Sequence, residues 1–257
     1  MTVGQDINAS ETIFTQSSGT TWNHNNGTVM FSPANSSSST TFTVDITSIP
    51  FNFYNVEVSM GSNSNDDIVT TGDTITVLSN FTHTNGRLFG TWEVQGNYTV
   101  ATTADAGSAG ITFTGGNNQT YTDNGGNEVD GDVTVNKTLG SSVRLASNAD
   151  WNASSQDVTI TSGELNMGAS YNITTTTLTV STDGHLSNYG TGDLTLAGTL
   201  TNSGNIRFRS NGTCGGTDDI LIRSSVGATQ RSWNGSGTFI LHDVDVQDMA
   251  GSATITL

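Results

Sequence analysis

Lysine is almost missing from this chain. Its 257 residues include seven Lys and Arg against 23 Asp and Glu, for a formal net charge of −16, and Lys137 is the only lysine. Counterion release on a phosphate backbone needs clustered cations, so an electrostatic nucleic-acid binder is excluded. One cysteine, Cys214, cannot close an internal disulfide. Helix formers are scarce too: Ala, Leu, Met, Glu, Lys, Gln and Arg number 51, whereas β-branched Val, Ile and Thr number 76. That balance excludes a helical bundle and a doubly wound α/β enzyme. Apolar runs last only a few residues, so no membrane span is expected. The residues after Met1, TVGQDINASET, have neither a basic start nor an apolar stretch, so no secretion signal is expected within this chain.

Ser, Thr, Asn and Gly fill the space, at 130 residues. Leu, Ile, Val and Phe number 55, about 21% of the chain, close to the limit at which a highly charged sequence stays disordered. Only 12% of residues are charged, however, which argues for a folded chain. An acidic, lysine-poor, Asn- and Thr-rich composition points to an extracellular or cell-surface location.

The architecture is announced by a short apolar-x-apolar unit that recurs from end to end. Examples are Val56/Val58, Ile75/Val77, Val133/Val135, Val158/Ile160, Leu178/Val180, Ile206/Phe208 and Phe239/Leu241, separated by polar turns that contain glycine. Each reads as a short strand with one buried face. No single coil can bury such a face alone, but stacked coils can, so an all-β solenoid is expected. At roughly 20 residues per coil it would have about a dozen coils. A longer period lies above this one: GTVMF (Gly27 to Phe31), GITF (Gly110 to Phe113) and GNIRF (Gly204 to Phe208) are each followed by a second strand, from Phe53, Val129 and Phe239. The expected organisation is an N-terminal cap or arm over 1–19, then a solenoid over 20–257 in about three units of 80–95 residues. Pro33 and Pro50 fall in the first excursion, as their exclusion from central strands requires. The closing strand ATITL has no polar cap, so Ile255 and Leu257 are expected to form an assembly end, through self-association or continuation of the solenoid.

The segments TWNHNNGTVMF, FYNVEV, LAGTLTNSGNIRF and SWNGSGTFILHDVDVQD resemble the repetitive β-helix regions of large bacterial and archaeal surface proteins, in the style of filamentous-haemagglutinin and autotransporter adhesins. The resemblance spans about Thr20 to Leu257 and implies a right-handed parallel β-helix, elongated, exported, and adhesive or structural. It carries no shared catalytic motif.

Motif chemistry agrees with a chain that is not an enzyme. There is no G-x-S-x-G elbow, H-E-x-x-H, P-loop or paired cysteine, so no catalytic or cofactor residues are expected. His24, His83, His185 and His242 stand isolated and read as turn or surface residues. Ca²⁺ is the one ligand the carboxylates suggest, with Asp243, Asp245, Asp130 and Asp132 as candidate hard-oxygen ligands. The competing reading of Asp243-Val244-Asp245-Val246 is a solvated face alternating with a buried one. If such a cluster met an arginine in a groove, the alternative function would be a Ca²⁺-dependent polysaccharide lyase or glycosidase. Arg207 and Arg209 flank Phe208 on an outward face and are expected to pair with acids of a neighbouring coil. Trp22, Trp151 and Trp233 each precede Asn; exposed, they would bind surface glycans, and buried, they would fill the core. Thr-x-Thr pairs make an ice-binding face a further alternative, and a virus or phage fibre shares the fold. Eleven N-x-S/T sequons occur, among them Asn26, Asn80, Asn97, Asn118, Asn136, Asn172, Asn211 and Asn234, each a glycosylation acceptor if the chain is exported where N-glycosylation operates.

Overall fold

A computed structural model describes residues 1–3, 10–16, 22–32, 40–46, 52–60, 66–72, 74–210 and 219–253. Pro33, Pro50, Cys214, Asn211, Ile255 and Leu257 lie outside the described residues. Among those described there are 28 strands and no helix, so no helix is long and apolar enough to cross a membrane. The strands pair in parallel and stack as a β-solenoid of about eight turns. The expected dozen was too many because excursions lengthen the coils: Ile206 and Phe239 occupy the same position in successive coils. The chain divides into two compact units, Met1–Thr112 with Thr122–Gly131, and Phe113–Tyr121 with Asp132–Leu257.

In the first unit alternation builds the core. Along Thr41–Ile46, Phe42, Val44 and Ile46 are buried while Thr41, Thr43 and Asp45 between them are half-exposed. Parallel register then stacks like on like. Val29 lies on Val56 and Val56 on Phe81, and Phe81 lies on Tyr98. A second column runs Phe42, Ile68, Leu88, and a third places Ile75 on Trp92 and Val77 on Val94. Phe81 stacks on Trp92 at 4.9 Å and on Tyr98 at 5.0 Å, both rings near parallel to it. Such aromatic pairs add to plain area burial. Within the span read as a cap or arm, Thr2–Val3 pairs with Met30 and Phe31, and Glu11–Gln16 pairs with Thr41–Ile46.

The second unit repeats the scheme on three ladders. One column is Val133, Val158, Leu178, Leu200, Trp233. Another is Val143, Leu165, Leu186, Ile206, Phe239. The last is Ala149, Ile173, Leu194 and Ile222, all buried, and it ends on Val246, which is 43% exposed, so the strand Val244–Gln247 does not bury the alternate face expected of it. A narrow core of this kind needs only one or two apolar side chains per strand, which is why a chain so poor in Leu, Ile, Val and Phe still folds. Trp151 and Trp233 fill this core, against Tyr121 at 5.2 Å and Phe239 at 5.1 Å.

Corners are held by polar side chains. The Oδ1 of Asn55 accepts the backbone N–H of Asn80, that of Asn148 accepts Asn172, that of Asn172 accepts Asp193, and that of Asp193 accepts Leu221, at 2.7 to 3.0 Å. Each of these bonds links one coil to the next outside the strand ladder and satisfies a donor the corner would leave unpaired.

Candidate functional site

Four strands of the second unit, Asp157–Asn166, Thr177–Asn188, Asn205–Arg209 and Thr238–His242, lie side by side. Their outward residues line up in two rows. Glu164, His185, Asn205 and Thr238 form one row, and Asn166, Ser187, Arg207 and Ile240 the other. The inward residues Leu165, Leu186, Ile206 and Phe239 between the rows are buried in the core. Over this face runs a groove of about 420 Å³, lined also by Gly140, Gly163 and Tyr189, within the size range of ligand clefts.

The groove is polar and mixed in charge. Ser187 donates its hydroxyl hydrogen to the Glu164 carboxylate, and Asn166 donates to the same carboxylate at 3.4 Å. The Arg207 guanidinium lies over the Tyr189 ring, 5.6 Å from its centroid. Tyr189 and Ile240 remain 40% and 48% exposed, so apolar surface is offered beside the hydrogen-bonding groups.

Local sequence explains why Tyr189 stands out. Asn188 is buried; its Oδ1 accepts the Gly190 N–H at 2.9 Å and its Nδ2 donates to Gly192 O at 2.5 Å. That clamp closes a tight turn with Tyr189 at its tip. Gly190 must be glycine, since a Cβ there would fall 1.6 Å from Ala169 O. The same Asn-x-Gly device recurs at Asn166/Gly168 and Asn202/Gly204. Asn188→Ala is expected to cost about 1–2 kcal/mol, because a buried donor and acceptor lose their partner, and chemical denaturation will measure it.

Behind Gly163, whose Cβ position lies 2.5 Å from Lys137 Cβ, the only lysine turns inward. Its Nζ donates to Thr114 O at 2.5 Å and Gln119 Oε1 at 2.6 Å, and burial lowers its pKa to about 8. In the first unit His83 is buried too, contrary to the turn or surface place expected of it. Register sets it between Val58 and Val100, because the strand Phe81–Asn85 alternates and His83 falls in phase with Phe81. Its Nε2 meets Gly86 O at 2.6 Å, and burial lowers its pKa to about 4. Tyr98 is pushed up, first by burial and then by the negative charges of Glu128 and Asp123.

The other sequence candidates are dispersed. Asp130 belongs to the first unit and Asp132 to the second; Asp132 accepts the Asp157 N–H at 3.0 Å. Asp243 sits at a positive φ of 52°, 3.2 Å from His242 Nδ1, while Asp245 is exposed opposite Leu221. Among the described residues no three His, Cys, Asp or Glu side chains are grouped to hold a metal ion. Asn26, Asn80, Asn97, Asn118, Asn136 and Asn172 are exposed and Asn234 is half-exposed. Arg207 is outward and exposed as expected, but it meets a tyrosine ring and not an acid of the neighbouring coil. No protein-family model, curated protein or solved structure matches the chain.

Proposed function

We propose that this chain is a non-enzymatic, extracellular β-solenoid module, structural and adhesive, that captures glycans in the groove around Tyr189 and Arg207. The observation that carries the reading is the combination on one outward face: an exposed aromatic side chain with its cation, next to a carboxylate, a hydroxyl and amides. Sugars offer C–H faces to aromatic rings and hydroxyls to such donors and acceptors. Hydrolysis of a glycosidic bond generally uses two flanking carboxylates, whereas Glu164 is the one Asp or Glu among the described residues that line this groove, which supports capture over cleavage.

The reading is tested by binding to a panel of surface polysaccharides. Wild type is expected to bind at least one, and Tyr189→Ala to weaken that binding by about tenfold, with the bound glycan recovered uncut. Retention of full affinity by Tyr189→Ala, or shortening of the glycan on incubation, overturns it.

A further inference from the structure

We infer that the groove selects an acidic sugar and seats its carboxylate on Arg207, an inference that rests on the glycan-binding reading above. Arg207 projects from the outward face of Asn205–Arg209, with Ser187 opposite it in one neighbouring coil and Ile240 in the other. Among the described residues no Asp or Glu makes an ion pair with it, although acids outnumber bases by 23 to seven in the chain. The carboxylate that is near, Glu164, takes its hydrogen bonds from Ser187 and Asn166. The guanidinium therefore keeps its charge available while the Tyr189 ring restrains its plane. A planar fork of N–H donors matches the two oxygens of a carboxylate. Glu164, in the adjacent row, accepts from the hydroxyls that flank that carboxylate on a uronic acid. A neutral sugar would leave the cation without a counter-charge in a partly desolvated groove.

The test uses the full chain and two forms of one oligosaccharide: a uronic-acid oligomer, and the same oligomer after chemical reduction of its carboxyl groups to primary alcohols. At low salt the acidic form is expected to bind about tenfold more tightly. Arg207→Gln should abolish that preference, Arg207→Lys should restore part of it, and Arg223→Ala, on another ladder, should leave it unchanged. Circular dichroism confirms that each variant folds. Equal binding of the two forms by wild type, or a preference that survives Arg207→Gln, overturns the inference and leaves glycan capture standing. Tighter binding of a sulfated, carboxyl-free oligomer overturns the carboxylate assignment. Binding of neither form, nor of any glycan in the wider panel, overturns the glycan reading itself.

Discussion

Gly190→Ala is expected to destabilise the second unit by about 3 kcal/mol, lowering its thermal midpoint by roughly 10 °C. The added Cβ would lie 1.6 Å from the carbonyl oxygen of Ala169 and 2.7 Å from its Cα. These are backbone atoms of a turn in the previous coil, where Ala169 O accepts the Thr191 N–H at 3.0 Å, so relief requires the coils to part and not a side chain to turn. The Gly190 N–H is also clamped by Asn188, which removes the alternative of moving the turn. Gly227 is the control, since nothing lies within 4 Å of its Cβ position and its φ is not positive. Gly227→Ala should leave the stability within about 0.5 kcal/mol of wild type. In a solenoid the damage is local, so hydrogen exchange should rise first in the coils that contain Ala169 and Tyr189. Equal midpoints for the two variants would show that the coils are not packed as closely as described.

Acid should weaken the first unit through one histidine. In the unfolded chain the imidazole takes up its proton near pH 6.5, but the buried ring of His83 does so only near 4. Between those values the unfolded state holds the extra proton. The contribution is therefore fully present above pH 6.5, declines as the pH falls towards 4, and is level below that. A shift of this size corresponds to about 3 kcal/mol across the window. Gly86 O meets Nε2 and offsets part of the cost of a charged ring, but Nδ1 has no partner among the described residues and burial outweighs that one bond. Urea unfolding at pH 4.5 and 7.5 should give a markedly smaller loss of stability on acidification for His83→Gln than for wild type. An identical loss in both proteins would place the acid sensitivity on other groups.

Period-two alternation made the strands and the stacked core readable from residues such as Val56/Val58 and Leu178/Val180, because a pleated strand converts spacing in sequence directly into facing. Coil number was less readable. It depends on how much chain each excursion consumes, and polar loops of Ser, Asn and Gly carry no length signal. A lone histidine carries no phase of its own, so the buried place of His83 is legible only from Phe81 two residues before it. The groove was not readable at all. Glu164, Ser187, Tyr189, Arg207 and Ile240 become neighbours only once the register of four strands is known, and that register is set by the intervening excursions. The Asn-x-Gly triplet at Asn188 to Gly190 was the available clue. It marks a clamped turn that can thrust out the residue in its middle.

Four of the side-chain bonds at corners run one way. Asn55 to Asn80, Asn148 to Asn172, Asn172 to Asp193 and Asp193 to Leu221 each have the acceptor on the earlier residue and the donor on the later one. The backbone answers in the opposite sense at three of these corners: Val56 N–H donates to Asn80 O, Ala149 N–H to Asn172 O and Ile173 N–H to Asp193 O. Asn80, Asn172 and Asp193 are therefore each tied to the preceding coil by two bonds of opposite sense, and such a corner closes only when both of its coils are in place.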